Sequence, residues 1–142
     1  MDTLPEQLIT DKSMLNEHSL NAVKKLLSEF QEFVPYALCI ALQGEIMPFK
    51  IETDSEKPAT KELLAKYEEL LDAKLKNQEI RSYAIAYNMV VSTNKSDAVE
   101  NTNAIAIKIK QTNLLKRSFN FYAYSFSPDK ELIMGESWGV NL

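Results

Sequence analysis

The residues of this chain that could perform nucleophilic or acid–base chemistry are few and scattered. The 142 residues include one histidine, His18, and one cysteine, Cys39. A helical wheel places His18 away from the apolar side of its predicted helix, which indicates a solvated side chain. Cys39 lies between Leu38 and Ile40, which predicts a small buried apolar residue and not a nucleophile. We expect no catalytic residue of either type.

Carboxylates are the remaining route to acid–base catalysis. Glu45 and Glu52 flank one predicted strand, and Glu131 and Glu136 flank another. A working pair must lie within several ångströms in unequal surroundings, and this spacing does not require it. One histidine and one cysteine also cannot supply the four ligands of a structural zinc site. The sequence therefore predicts neither catalytic residues nor a metal site.

Phosphate and cofactor sites built on glycine loops are also not expected. Phosphate loops and dinucleotide fingerprints need clustered glycines so that the backbone can approach the phosphate. The three glycines, Gly44, Gly135 and Gly139, are scattered and suit turns or strand ends. We expect no cofactor.

A basic and aromatic segment in the C-terminal half has the residue types that stack nucleobases. Its members are Lys108, Lys110, Lys116 and Arg117, followed by Phe119, Phe121, Tyr122 and Tyr124. It lacks the glycines that separate the aromatic residues of an RNA-recognition motif, and a formal charge of -4 does not attract nucleic acid. We expect a hairpin of core aromatic residues with a lysine-protected edge, and no nucleic-acid partner.

The first half of the chain predicts two helices with a β-hairpin between them. Apolar residues at three- and four-residue steps predict a helix from Ser13 or Asn16 to Phe33, after a lead-in over residues 1–12 that can be disordered. Residues 36–42 and 45–51 read as a hairpin turning at Gly44, with Pro48 marking an edge strand. After a polar loop, a second helix is predicted from near Pro58 to residue 76.

The second half of the chain predicts β-structure, with strands near residues 80–92, 103–111, 116–126 and 130–136 and a polar loop over 92–102. The predicted order is α-β-β-α-β-β-β, with one further strand at the end if the segment 130–136 is also a strand. Short links between consecutive strands imply an antiparallel sheet of five to six strands. We therefore predict one α+β domain over residues 13–142.

Each predicted strand alternates large and small side chains, so the sheet is expected to have a bulky face and a thin face. We expect both helices to pack on one face, the bulky one, which leaves the thinner and more polar face to water. Covering the thin face instead would expose tyrosines and isoleucines and would demand dimerisation. A pocket or interface could form from six aromatic residues, namely Tyr36, Tyr67, Tyr83, Tyr87, Phe121 and Trp138.

Several segments resemble a group of short bacterial proteins that have no assigned activity. The resemblance is carried by residues 33–38 with 43–48, by residues 79–88 followed by 103–107, and by residues 135–138. Asn88 and Asn103 depart from that pattern, in which aspartates are expected. The resemblance implies a single α+β domain and no reaction. The element order is also similar to profilin-like and roadblock-like modules, which are mostly binding scaffolds.

The leading functional hypothesis is a non-catalytic protein–protein interaction module that binds a protein partner or self-associates. The acidic charge also fits an immunity-type protein that neutralises a toxin. The alternative is a small-ligand-binding domain with a pocket between sheet and helices, and the third is a carboxylate-based enzyme. The acidic N-terminus lacks the features of a signal peptide, and no run reaches ~18 apolar residues, so we expect a cytoplasmic protein without a membrane partner.

Overall fold

The computed structural model describes residues 5–51, 60–95, 98–111 and 117–141, without the side chains of Pro5 and residues 92–101. The described chain forms α1 (Pro5–Phe30), β1 (Tyr36–Ala41), β2 (Ile46–Phe49), α2 (Thr60–Lys76), β3 (Ile80–Lys95), β4 (Ala98–Gln111), β5 (Arg117–Phe126) and β6 (Leu132–Asn141). All strands pair antiparallel in one sheet, in the order β2-β1-β3-β4-β5-β6. The predicted α+β class, single domain and element order are confirmed.

The first helix begins earlier than the sequence predicted. It starts at Pro5, a favoured residue at the first helical position, so residues 5–12 are helical and are not a lead-in. The first four residues lie outside the described chain. The buried side of α1 is a series at four-residue steps: Asp11, Leu15, Ser19, Val23 and Leu27. Because two of these residues are polar, the apolar periodicity fades towards the N-terminus and hides the first turns.

The two helices lie on opposite faces of the sheet, so the prediction that both cover one face is wrong. Strand pairing sets Leu38 opposite Ala84, and Ala37 opposite Ile85. Large residues of one strand therefore share a face with small residues of the next, and neither face is uniformly bulky or thin. Each face is apolar enough to need a helix, and each has one.

Two separate cores result from this arrangement. Under α1, the fully buried side chains of the sheet include Ile40, Ile105, Ile107 and Ile109. Under α2, the core is built from Ala37, Cys39, Leu63, Tyr67, Leu71, Leu75, Ile80, Tyr83 and Ile85. The prediction that Cys39 is a buried apolar residue is confirmed.

The hairpin of β1 and β2 forms as predicted. Gly44 has a φ of 103°, in the region that favours glycine, and its N–H donates to the carbonyl of Ala41 at 2.9 Å. The second strand lies at the edge of the sheet, where Pro48 needs no ladder partner on its outer side. The predicted loop over residues 52–57 and the helix start near Pro58 lie outside the described chain.

The loop predicted over residues 92–102 is instead a continuation of β3 and β4. Their pairing runs out to Lys95 opposite Ala98, and residues 96–97 lie outside the described chain. The neighbouring strands end their pairing earlier, at Tyr36 opposite Ala86 and at Asn103 opposite Tyr124. This two-stranded arm extends beyond the main sheet, so its sequence lacks the apolar alternation of a covered strand.

The last strand is longer than predicted and carries the only tryptophan. It runs from Leu132 to Asn141, where the sequence predicted residues 130–136, so Trp138 lies within the strand. The turn before it closes with a hydrogen bond from the Lys130 N–H to the Ser127 carbonyl at 2.8 Å, as the turn residues predicted. Neither described helix has the length and apolar composition needed to cross a membrane.

Candidate functional site: an open aromatic surface

The second helix covers only half of its face of the sheet. It packs on β1 and β3 and reaches β4 through ion pairs with Lys108 and Lys110. Beyond β4, the same face of β5 and β6 has no helix over it in the described chain. This open half of the sheet is where the least-covered aromatic residues of the sheet gather.

Strand register aligns these residues in two rows across the sheet. One row runs Tyr87, Ala106, Phe121, Trp138 and the next runs Ile85, Lys108, Phe119, Val140. Residues directly opposite each other in an antiparallel pair project from the same face. The β5 and β6 ends of these rows form a group that we call the aromatic patch, defined as Phe119, Phe121, Trp138 and Val140.

The rings of the aromatic patch stack on one another. The centroids of Phe119 and Phe121 are 6.1 Å apart with planes 5° from parallel. Those of Phe121 and Trp138 are 5.3 Å apart at 22°. Trp138 is still 39% exposed and Val140 41% exposed, while both phenylalanines are half-buried. The stack is therefore ordered but open to solvent, an arrangement that marks interaction surfaces.

The opposite face of the same two strands packs against α1 and combines apolar, aromatic and amide side chains. There the Asn120 side-chain amide donates to Asn16 Oδ1 at 2.8 Å, and the Asn16 amide donates to the Tyr122 hydroxyl at 2.6 Å. Gly139 lies opposite Asn120, and a Cβ at Gly139 would lie 3.0 Å from Asn120 Oδ1, so a larger residue there would require the Asn120 amide to shift. Tyr122 and Tyr124 pack on the core under α1, so β5 has aromatic rings on both faces, and only the face without a helix in the described chain leaves its rings open to solvent.

Ion pairs between α2 and β4 border the aromatic patch on one side. Glu68 accepts a hydrogen bond from Lys108, and Asp72 accepts one from Lys110, each at 2.9 Å. Asp72 also accepts one from the Tyr83 hydroxyl at 2.8 Å. The lysine charges next to the patch are therefore compensated, and the patch itself contains no charged side chain.

These contacts shift the ionisation of the two groups that share them. Burial would raise the pKa of Asp72, but hydrogen bonds from Lys110 and Tyr83 outweigh it, so the pKa lies below its ordinary value. Burial, together with the bond to Asp72, raises the pKa of the Tyr83 hydroxyl far above neutrality. The phenol stays protonated and acts as a hydrogen-bond donor to the carboxylate.

The structure separates the six aromatic residues predicted to form a pocket or interface. Tyr36 is half-buried on the face that α1 covers. Tyr67 and Tyr83 are buried beneath α2, at 6% and 0% exposure. Tyr87, Phe121 and Trp138 share one row across the sheet, but Tyr87 packs beside the core under α2 and only Phe121 and Trp138 lie on the open half. Within the described chain the tyrosines therefore line no common cavity. The two-residue period of a strand is the sequence signal that identifies Phe119 and Val140 as same-face neighbours of Phe121 and Trp138, and the prediction did not use it.

The basic segment is also divided by the structure. Lys108 is buried and paired with Glu68, and Lys110 is paired with Asp72. Arg117 is exposed at the start of β5, and Lys116 lies outside the described chain. Two of the four cations are thus neutralised by carboxylates. The absence of a nucleic-acid partner stays a prediction.

No metal-binding cluster forms among the described residues. Burial raises the pKa of the Cys39 thiol, which disfavours the reactive thiolate. No group of three or more His, Cys, Asp or Glu residues in the described ranges could hold a metal ion. A surface cavity of about 560 Å³ lies between α1 and the turn before β6, with Lys24, Lys25 and Lys130 among its lining residues, and it contains none of the predicted aromatic residues.

The two asparagines that depart from the resembling pattern lie together on the face covered by α1. The Asn88 amide is 3.4 Å from Asn103 Oδ1, and the Tyr124 hydroxyl donates to Asn88 Oδ1. The comparisons add no relative: no family model matches the chain, and no curated protein or solved structure shows significant similarity to it.

Proposed function

We propose that this protein is a non-catalytic protein–protein interaction module that binds its partner through the aromatic patch. The observation that supports this most strongly is the stack of Phe119, Phe121 and Trp138 on the half of the sheet that α2 does not cover. Leaving stacked aromatic rings exposed is costly for a lone domain, at about 25 cal/mol per Å² of apolar surface. A partner that covers the patch would recover that free energy.

The composition of the patch also supports protein binding over catalysis. Tryptophan and other aromatic residues supply most of the binding energy at protein interfaces, in desolvated centres surrounded by polar rims. The patch has an apolar centre, and the paired charges of Glu68, Lys108, Asp72 and Lys110 lie along one side of it. An immunity-type role is a narrower version of the same hypothesis, and it stays a prediction.

The proposal is tested by comparing bound proteins between matched variants. Trp138→Ser with Val140→Ser removes two patch side chains that are each about 40% exposed. Ile9→Ser with Val90→Ser is the control, because it removes two apolar side chains that are more exposed and lie outside the patch. Cross-linked partners, including the chain itself, are quantified by mass spectrometry. We expect at least one partner that cross-links to wild type and to the control variant but not to the patch variant. Equal recovery of every partner by all three proteins would refute the proposal.

A further inference from the structure

We infer that the partner of the aromatic patch is a second copy of this chain, packed face to face with the first across a two-fold axis. This inference rests on the proposed function, since it names the occupant of the same surface. Three features support it: the position of α2, the absence of charged side chains from the patch and the size of the open half of the sheet.

The second helix restricts how two copies can meet. A helix with its side chains is about 10–12 Å in diameter, and packed sheets are about 10 Å apart. A two-fold axis perpendicular to the strands would press the two α2 helices together. An axis parallel to the strands instead places them on opposite sides of the contact. In that arrangement β5 lies across from the partner's β5, and each α2 stands beside the partner's β6.

The same arrangement addresses the free edge of the sheet. The strand β6 is the last in the order, and its outer edge has no neighbouring strand in the described chain. Exposed edges are templates for unwanted pairing, and natural proteins cover or protect them. A helix from the second copy beside β6 covers this edge while the patch is buried.

The patch is suited to contact with itself. An isologous contact uses the same surface of both copies, and residues at the two-fold axis meet their own copies, so a charged centre would repel itself. The four patch side chains are uncharged, and the neighbouring Lys108 and Lys110 are already paired with carboxylates of the same chain. With β5 across from β5 of the second copy, Phe119 and Phe121 meet the same two rings, while Trp138 and Val140 lie across from β4 of that copy. No like charges meet at this centre, and the exposed Arg117 lies at its end, where β5 begins.

The area available indicates a dimer of modest affinity. Two strands at about 4.8 Å spacing and ten residues at about 3.3 Å rise give roughly 320 Å² of flat surface per copy. Side-chain relief and the contacts of α2 with β6 increase this towards the lower end of the roughly 1,200–2,000 Å² that stable complexes bury in total. We expect a dissociation constant of micromolar order, so dimer formation should depend on concentration in an accessible range.

The test measures mass and the fluorescence of Trp138, the only tryptophan, in one concentration series from about 1 to 200 μM. Wild type is expected to rise from 16.2 kDa to twice that mass, and its emission should shift to shorter wavelength with the same midpoint. Val140→Lys, which keeps the tryptophan, and Trp138→Ser with Val140→Ser should each weaken the dimer at least about 30-fold. Ile9→Ser with Val90→Ser should leave the midpoint unchanged, and circular dichroism checks that each variant is folded.

Two results would overturn the inference. One is a wild type that stays monomeric throughout the series. The other is a dimer whose tryptophan emission does not change and which Val140→Lys does not weaken, because that dimer forms through another surface such as the β6 edge. If wild type is monomeric and cross-links to a different protein, and the patch variant does not, then the second copy is refuted and the interaction module is supported. A monomer with no difference in partners would refute both.

Discussion

At the scale of single residues, the strand β5 carries aromatic rings on both faces: Tyr122 and Tyr124 pack on the core under α1, and Phe119 and Phe121 lie on the open face. Its side chains alternate between the faces, and its aromatic composition is enough to predict a strand. Alternation does not show which side a helix will cover, because that depends on where α1 and α2 pack. Trp138 was predicted to contribute to a pocket or an interface, and its side chain is 39% exposed.

Asp72 should make the stability of the fold depend on pH. The pKa of Asp72 in the folded state lies below the ordinary value of 3.8. The stability that the charged carboxylate contributes is therefore fully present above pH 3.8, and it is lost as the pH falls through the folded-state pKa. Urea unfolding should show a larger difference between wild type and Asp72→Asn at about pH 7 than at about pH 3. A difference that stays constant over this range would contradict the role of the charged carboxylate.

Lys108 and Glu68 should respond unequally to substitution. The lysine side chain is 5% exposed and the glutamate 43% exposed. Glu68→Ala leaves an ammonium buried without this partner, and we expect a loss of about 1–2 kcal/mol, less than the roughly 3–5 kcal/mol for a fully buried pair because water reaches the site. Lys108→Met replaces the buried charge with an apolar chain of similar length, and it should be nearly neutral. Chemical denaturation measures both, and equal losses would show that the pair itself is the stabilising unit.

At the scale of elements, each helix was predictable from its apolar periodicity, but its boundaries and its face of the sheet were not. The start of α1 was hidden because its buried side contains Asp11, whose carboxylate accepts a hydrogen bond from Arg81 at 2.9 Å. A buried charge interrupts an apolar pattern, and its partner 70 residues away cannot be read from local sequence. The hairpin of β1 and β2 was predicted well, since Gly44 and Pro48 are local signals.

Asp11 should hold the first turns of α1 on the sheet. It is 2% exposed, and the Gln111 amide donates to the carbonyl of the neighbouring Leu8 at 2.8 Å. Asp11→Ala should lower the free energy of unfolding by about 2–3 kcal/mol, because a buried charge-assisted hydrogen bond is lost. Hydrogen exchange should be faster in residues 5–12 of this variant. Unchanged exchange there would mean that packing of Leu15 and later residues alone fixes the helix.

At the scale of the whole molecule, one helix on each face leaves the sheet unequally covered. The sequence predicted two helices and an antiparallel sheet because periodicity and turn residues are local properties. It did not predict the coverage, because register between strands sets Leu38 against Ala84 and Ile85 against Ala37, so that large and small residues mix on both faces. The aromatic patch follows from this unequal coverage, since α2 is wide enough for only about half of a six-stranded face.

The most direct test of the aromatic patch as an interface is quenching of Trp138 fluorescence by acrylamide at low and at high protein concentration. We expect strong quenching in dilute solution, where the ring is open to solvent. At high concentration, where a second copy covers the ring, we expect clear protection from quenching. Protection that is already complete in dilute solution would show that the patch is covered within one chain. Equal, strong quenching at both concentrations would show that no second copy occupies it.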